Sequence, residues 1–200
     1  MEFTISQKEI DAFRGNRNHL LASEVFSIAP FWNRPKSFEF YFRKPALHPG
    51  HWARAEHNPG LGKAFEPVAT LRLHFPTKLE DWTFVVDTSR PIVRHLEDLD
   101  EETMCATLRI QHGQSDVIMS DQYSVLEYIV ACGRRFLPSS EWYFAYLNAE
   151  YEPFASSPNG RHLRMRIKKT KGKLVEFEFF IDDAFIGLFG AFRRNEFAKT

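Results

Sequence analysis

Three histidines stand close together in His48-Pro49-Gly50-His51-Trp52-Ala53-Arg54-Ala55-Glu56-His57. Neutral imidazoles beside a carboxylate are the ligand types of zinc and related metals, and an open fourth position would let a bound water perform hydrolysis. The spacing His-x2-His-x5-His matches no established metal motif, and ligands on a Gly/Pro-bearing segment need bracing from elsewhere. His48, His51 and His57 are therefore the candidate metal ligands and zinc the metal they would take. Apart from it, no cofactor is expected.

Other chemistry-bearing stretches fail on inspection. Gly60-Leu61-Gly62-Lys63 resembles a phosphate loop, but His57 stands where the first glycine is required and Ala64 follows the lysine. His112-Gly113-Gln114-Ser115-Asp116 holds the residue types of a catalytic triad. Triad members meet through the fold and seldom as neighbours, so these residues read as turn chemistry. Cys132 falls within an apolar helical stripe, where burial disfavours a thiolate, and nothing in the sequence supplies Cys105 with a base. Asp98-Leu99-Asp100 belongs to an acidic run that reads as a solvated helix end.

A collective pattern is more suggestive. The outward positions of the expected strands carry Tyr41, Arg43, Arg72, His74, Arg109, Arg164 and Arg166. Coplanar arginines with an aromatic residue are the means of gripping single-stranded nucleic acid. Lys168, Lys169, Lys171 and Lys173 at a hairpin tip have no acidic neighbour in sequence, and would contact phosphate or an acidic protein. The apolar residues that strand faces leave unassigned, or that a loop would expose, are Trp52, Phe180, Phe185, Phe189 and Phe192. They are the candidate apolar docking surface.

Positioning these groups falls to an ordinary globular chain. Its 200 residues carry 26 basic and 26 acidic side chains and are 44% hydrophobic, which excludes a disordered tail or a disulfide scaffold. Net zero is a sum over patches: seven basic residues and no acidic one from Arg161 to Lys173, against five acidic and no basic from Glu97 to Glu102. Nothing near Met1 reads as a secretory leader, no apolar run approaches the length of a membrane span, and two cysteines are too few for a disulfide framework. A single cytoplasmic domain spanning residues 1–200 is expected, without membrane association.

Ser6-Gln7-Lys8-Glu9 reads as a capping box opening a helix at Gln7, with a second helical stretch carrying Leu20, Leu21 and Val25. Residues 37–43, 68–75 and 81–87 alternate as strands, and residues 44–66 form a long irregular loop between the first two. Ser89-Arg90-Pro91 opens a short helix with Ile92, Val93, Leu96 and Leu99 on one face. A hairpin turning at Gly113-Gln114 opposes Ile110 to Val117 and Leu108 to Met119. A second, with a three-residue loop at Thr170-Lys171-Gly172, opposes Ile167 to Val175, Met165 to Phe177 and Leu163 to Phe179. Between them lie a helix over 121–136, stopped at Leu137-Pro138, and a strand over 141–150. Residues 183–200 read as a helical or docking tail, with Gly187 and Gly190 against a helix and Arg193-Arg194 at its end.

This order predicts an α+β fold with a largely antiparallel, twisted sheet of about seven or eight strands and helices packed mainly on one face. With no strong catalytic constellation, the expected function is a non-enzymatic interaction or regulatory protein docking a macromolecule, most simply another protein. A nucleic-acid-binding module and a metal-dependent hydrolase on the histidine loop are the alternatives. The oligomeric state is not legible.

Overall fold

The computed structural model describes residues 8–14, 21–54, 64–136 and 142–193. Ser6 and Gln7 of the capping box, Leu20, His57, the Gly60 to Lys63 segment, the Leu137-Pro138 stop and Arg194 lie outside the described residues; the helix expected from Gln7 does not form over residues 8–14, where Ala12–Arg14 is a strand and Glu9 accepts from Arg90. Contacts divide the chain into two compact units, residues 1–100 and 101–200. The fold is α+β, and within each unit the described strand pairs are antiparallel apart from one short parallel pair in unit 1. Twelve strands occur among the described residues, more than the seven or eight expected.

Unit 1 runs β1 (Ala12–Arg14), α1 (Ala22–Ser27), β2 (Ser37–Phe42), β3 (Gly50–Arg54), β4 (Phe65–His74), β5 (Leu79–Asp87) and β6 (Arg94–Leu96). Its sheet has the order β3-β5-β4-β2. The alternation of Phe38, Phe40 and Phe42 does place β2 beside β4, with Phe38 opposite Leu73 and Phe40 opposite Leu71. Helix α1 lies on this apolar face: the Phe26 ring is 5.1 Å from Phe38 and 5.4 Å from Phe40. Its entry is fastened by Glu24, whose carboxylate accepts the Leu21 N–H at 2.6 Å.

Two expectations for this unit change. Residues 44–66 are not irregular throughout, because β3 forms inside them and β4 begins at Phe65. Residues 50–54 alternate only weakly, and what makes them a strand is the free edge of β5, against which Trp52 pairs with Phe84. The helix expected after Pro91 is replaced by β6, paired in parallel with β1 from Ala12–Arg94 to Arg14–Leu96. Its apolar residues had no helix-facing surface to cover: Val93 is 78% exposed.

Unit 2 runs α2 (Glu101–Met104), β7 (Arg109–Gln111), β8 (Gln114–Ile118), α3 (Val125–Phe136), β9 (Trp142–Glu150), α4 (Glu152–Ala155), β10 (His162–Lys171), β11 (Leu174–Ile181) and β12 (Ala184–Arg193). Its strands follow the order β9-β12-β11-β10-β8-β7. Helix α3 starts at Val125, not Asp121, because Ser124 and Glu127 form the capping box: Glu127 Oε2 accepts the Ser124 N–H at 2.7 Å and Ser124 Oγ accepts the Glu127 N–H at 3.3 Å. Its buried stripe, including Val125, Ile129 and Cys132, covers the sheet face, with Phe136 5.5 Å from Phe177.

Both hairpin registers move by two residues, which preserves every inward face. The first turn is His112-Gly113, at φ +50° and +74°, so Ile110 pairs with Ser115 and Arg109 with Asp116. Both central residues take positive φ, as a type I′ turn requires, and the glycine stands second, not first. The second turn is Gly172-Lys173, and a bulge between Ile167 and Lys169 restores parity, so that Ile167 meets Phe177 and Arg166 meets Glu178.

The C-terminal tail is not helical. Residues 184–193 form β12, inserted between β9 and β11. Gly187 and Gly190 are there because strands come close: a Cβ on Gly187 would lie 2.1 Å from the Asn148 carbonyl oxygen, and one on Gly190 2.3 Å from the Tyr146 ring.

Candidate functional site

Most outward residues singled out on unit 1 are engaged with one another. The Tyr41 hydroxyl donates to Glu39 Oε2 at 3.1 Å, and His74 Nε2 lies 2.9 Å from Glu39 Oε1. Arg72 donates to both oxygens of Asp81, at 2.7 and 3.3 Å. Arg43 is exposed at the end of this face. The surface is therefore charge-balanced, and Arg109 stands elsewhere, on β7 of unit 2.

Trp52 is not a docking residue. It is fully buried and its indole N–H donates to the Val25 carbonyl at 3.0 Å, tying β3 to α1. His48 Nδ1 lies 3.0 Å from the Arg90 carbonyl oxygen. His51 packs edge-on against Phe65 with 6.4 Å between ring centroids. Burial holds its imidazole below the usual value, against the opposing pull of Glu9 and Asp87. Among the described residues no group of three His, Cys, Asp or Glu side chains is disposed to hold a metal.

In unit 2, Phe189 is likewise core, stacked on Phe177 at 5.7 Å. Phe185 and Phe192 are half exposed, and Phe180 lies edge-on to Phe185 beneath the Arg166 guanidinium, 5.1 Å from the ring. The lysine tip is less isolated than its sequence suggests, because β11 brings Glu176 to 3.1 Å from Lys169 and 3.6 Å from Lys168. Burial pushes the Glu176 carboxyl up, yet the Tyr146 hydroxyl and the two ammonium groups outweigh it and hold it below the usual range. Lys171 and Lys173 are exposed at the tip.

Polar groups converge in a cleft of about 810 Å³ over β7, β8 and β10. Strand pairing builds it. Asp116 on β8 faces Arg109 on one side and Arg164 on the other, on the sheet face opposite the buried Ser115 and Val117. The Asp116 carboxylate turns to neither arginine: its Oδ1 lies 3.3 Å from His162 Nδ1. Arg164 instead pairs with Asp183. Thr107 closes one end, its hydroxyl accepting the Ile118 N–H at 3.1 Å and donating to the Ile118 carbonyl at 3.2 Å. His112, Gln111 and Gln114 from the β7–β8 turn complete the rim. The His162 and Asp116 side chains are 56% and 47% exposed, so water reaches the pair directly.

An imidazole that donates from Nδ1 to a carboxylate keeps the lone pair on Nε2 and is steered as a general base. No thiolate competes for the role of nucleophile. Burial pushes the Cys132 thiol up strongly, and pushes Cys105 up as well despite Arg135. Sequence reasoning passed over His162, and saw Asp116 only as a turn neighbour. The two are 46 residues apart in strands that are not joined by a hairpin, so no local pattern relates them.

No family model matches the chain, and no curated protein matches it. Among solved structures, it is similar to the tesB protein of Mycobacterium avium subsp. paratuberculosis, at 10% identity over 94% of this chain and 92% of that one, with a TM-score of 0.48. It is also similar to the acyl-CoA thioesterase II TesB2 of Mycobacterium marinum (9% identity, 88% and 86% covered, TM-score 0.45). A third is the dehydratase domain of RzxB from Pseudomonas fluorescens (9% identity, 88% and 86% covered, TM-score 0.41). At these values the likeness transfers no residue role and no mechanism. The proteins that resemble the chain nevertheless bear enzyme names, thioesterase and dehydratase among them. The expectation of a non-enzymatic interaction or regulatory protein, with its nucleic-acid-binding alternative, is corrected by those names.

Proposed function

We propose that this protein is an enzyme that hydrolyses acyl thioesters, with His162 as general base and Asp116 as the group that orients it. The observation that carries the reading is the His162–Asp116 contact on the wall of the unit 2 cleft. His162 Nε2 takes a proton from water as its oxygen attacks the thioester carbonyl carbon. The carbon–sulfur bond then breaks, and the proton passes from the imidazole to the departing thiolate, leaving a carboxylic acid and a thiol. The weakness of the machinery selects the substrate class. A half-exposed base with neither a covalent nucleophile nor a buried dyad suits an activated acyl group, and thioesters are more electrophilic than amides or oxygen esters. Arg109 at the rim suits a substrate whose thiol carries negative charge.

We also read each unit, one helix against one face of an antiparallel sheet, as a hot-dog fold. The two unbridged cysteines suit a reducing, cytoplasmic setting, and among the described residues no helix is long and apolar enough to cross a membrane.

The test is thiol release from a panel of short-, medium- and long-chain acyl thioesters, followed with a thiol-reactive chromophore. His162→Gln is expected to lose about 10²-fold or more in kcat/KM, the usual contribution of a positioned base. Asp116→Asn is expected to lose less, because it leaves the base in place. No thiol release by the unaltered protein, or full activity in His162→Gln, overturns the reading.

A further inference from the structure

The turn between β11 and β12 is made of two carboxylates in a conformation that disfavours them. Asp182 and Asp183 take φ of +51° and +67° and form the whole turn, since Ile181 pairs with Ala184 on either side. Side chains other than glycine seldom occupy this region, and a type I′ turn is better served by Asn-Gly. Aspartate tolerates this region better than most residues, yet two in succession are less usual than a pair ending in glycine.

Both carboxylates reach back to the start of β10. Asp182 Oδ1 accepts the His162 N–H at 3.0 Å, its Oδ2 accepts from Arg161 Nε at 2.8 Å, and the Asp182 N–H donates to the His162 carbonyl at 3.0 Å. The Arg161 guanidinium and the His162 N–H hold the Asp182 carboxyl below its usual range. Asp183 pairs with the Arg164 guanidinium. From the other side, Met119 donates to the Arg161 carbonyl at 2.9 Å. His162 is thus held at its backbone on two sides.

Asp183 also settles a competition. Arg164 is the register partner of Asp116, and a guanidinium facing a carboxylate across a strand pair would form an ion pair with it. Such a pair would take Asp116 away from His162. With Arg164 tied to Asp183, one of the two guanidinium groups that face Asp116 across the strands is withdrawn, and the carboxylate meets the imidazole.

We propose that the Asp182–Asp183 turn is a positioning device for the cleft: Asp182 sets the backbone at His162, and Asp183 holds Arg164 away from Asp116. This inference rests on the reading of His162 and Asp116 as the working pair. Its test therefore uses a readout that does not depend on activity, the ¹H–¹³C NMR signals of the His162 imidazole at fixed pH, assigned by their loss in His162→Gln.

In Asp183→Gly the His162 signals are expected to shift as Arg164 moves onto Asp116, and kcat/KM for thioester hydrolysis to fall about tenfold. Relief of the left-handed strain should meanwhile leave Tm unchanged or raise it by about 2–4 °C. A turn with only a structural role would move stability and activity together. The double variant Asp183→Gly/Arg164→Gln removes the competitor and is expected to return the His162 signals toward those of the unaltered protein. Wild-type signals in Asp183→Gly, or signals in the double variant that remain as shifted as in the single one, overturn the proposal. Should the unaltered protein release no thiol, the thioester reading fails by itself, and the imidazole signals still decide the role of the turn.

Discussion

Replacing Gly187 by alanine separates two structures of the C-terminal segment by the sign of a stability change. In β12 the added Cβ would stand 2.1 Å from the Asn148 carbonyl oxygen and 2.8 Å from the Ala149 Cα, both backbone atoms of β9. Neither can rotate out of the way, so the two strands must separate locally, and overpacking of this kind costs about 1–3 kcal/mol. In a helix the same substitution would stabilise by about 0.8–1.0 kcal/mol, through the propensity of alanine over glycine. At about 2–4 °C per kcal/mol for a chain of this length, the strand predicts a Tm fall of about 2–12 °C and the helix a rise of about 2–4 °C. Thermal unfolding followed by circular dichroism measures it. Gly113→Ala is the control, since its Cβ meets nothing within 4 Å and only its φ of +74° opposes the substitution. A Tm for Gly187→Ala equal to or above that of the unaltered protein would refute the close approach of β9 and β12.

Four further outcomes are expected. Trp52→Phe strands the buried Val25 carbonyl that accepts the indole N–H; denaturant unfolding should show a loss of about 1–3 kcal/mol, and a change within 0.5 kcal/mol, on the order of a surface substitution, would contradict that bond. Glu80 and Glu176 have carboxyls held below the usual range, although burial alone would raise them: Lys78, Arg54 and Trp82 act on Glu80, and Tyr146, Lys169 and Lys168 on Glu176. A depressed folded-state pKa contributes stability that is present above the unfolded value and lost as pH falls through the folded one. Unfolding curves should therefore weaken below about pH 4.3, the ordinary glutamate value, and Glu176→Gln should flatten part of that fall. His51, lowered by burial, adds an earlier step of the same sign, since the unfolded chain takes up its proton first as pH drops below about 6.5; His51→Gln should remove it. Finally, Cys132 is buried and both thiols are pushed up, so the native protein should react slowly at Cys105 and not measurably at Cys132 with an alkylating reagent, while the unfolded chain reacts at both. Rapid labelling of native Cys132, read by mass spectrometry, would contradict its burial.

The parts of the fold that were legible in sequence are those where one local period dominates. Alternating phenylalanines over 37–42 and the apolar stripe of α3 need only to know that one face is buried, and both elements appear where the pattern puts them. Register parity was also legible, because a one-residue slip would turn charges inward. The residue at which a hairpin turns was not, since shifts of two residues leave every face unchanged and the choice falls to local φ, as at His112-Gly113. The tail was misread for a related reason. Phe185, Leu188, Phe189 and Phe192 fit helical spacing, and only the neighbouring β9 and β11 explain why Gly187 and Gly190 are needed in a strand.

Chemistry divides in the same way. The amino-acid sequence alone determined a neutral, folded α+β chain with an antiparallel sheet, because composition and hydrophobic periodicity are local and additive. It drew attention to the histidines of one segment, because proximity along the chain is what a sequence displays. Tertiary structure alone decided that His162 meets Asp116, that Asp183 takes Arg164 out of that contact, and that Glu176 pairs with Lys168 and Lys169. Each of these is a pairing across strands, between residues whose separation in sequence carries no trace of it. Electrostatic and hydrogen-bonding partnerships act over a few ångströms of space, and only the paired sheet brings those distances about.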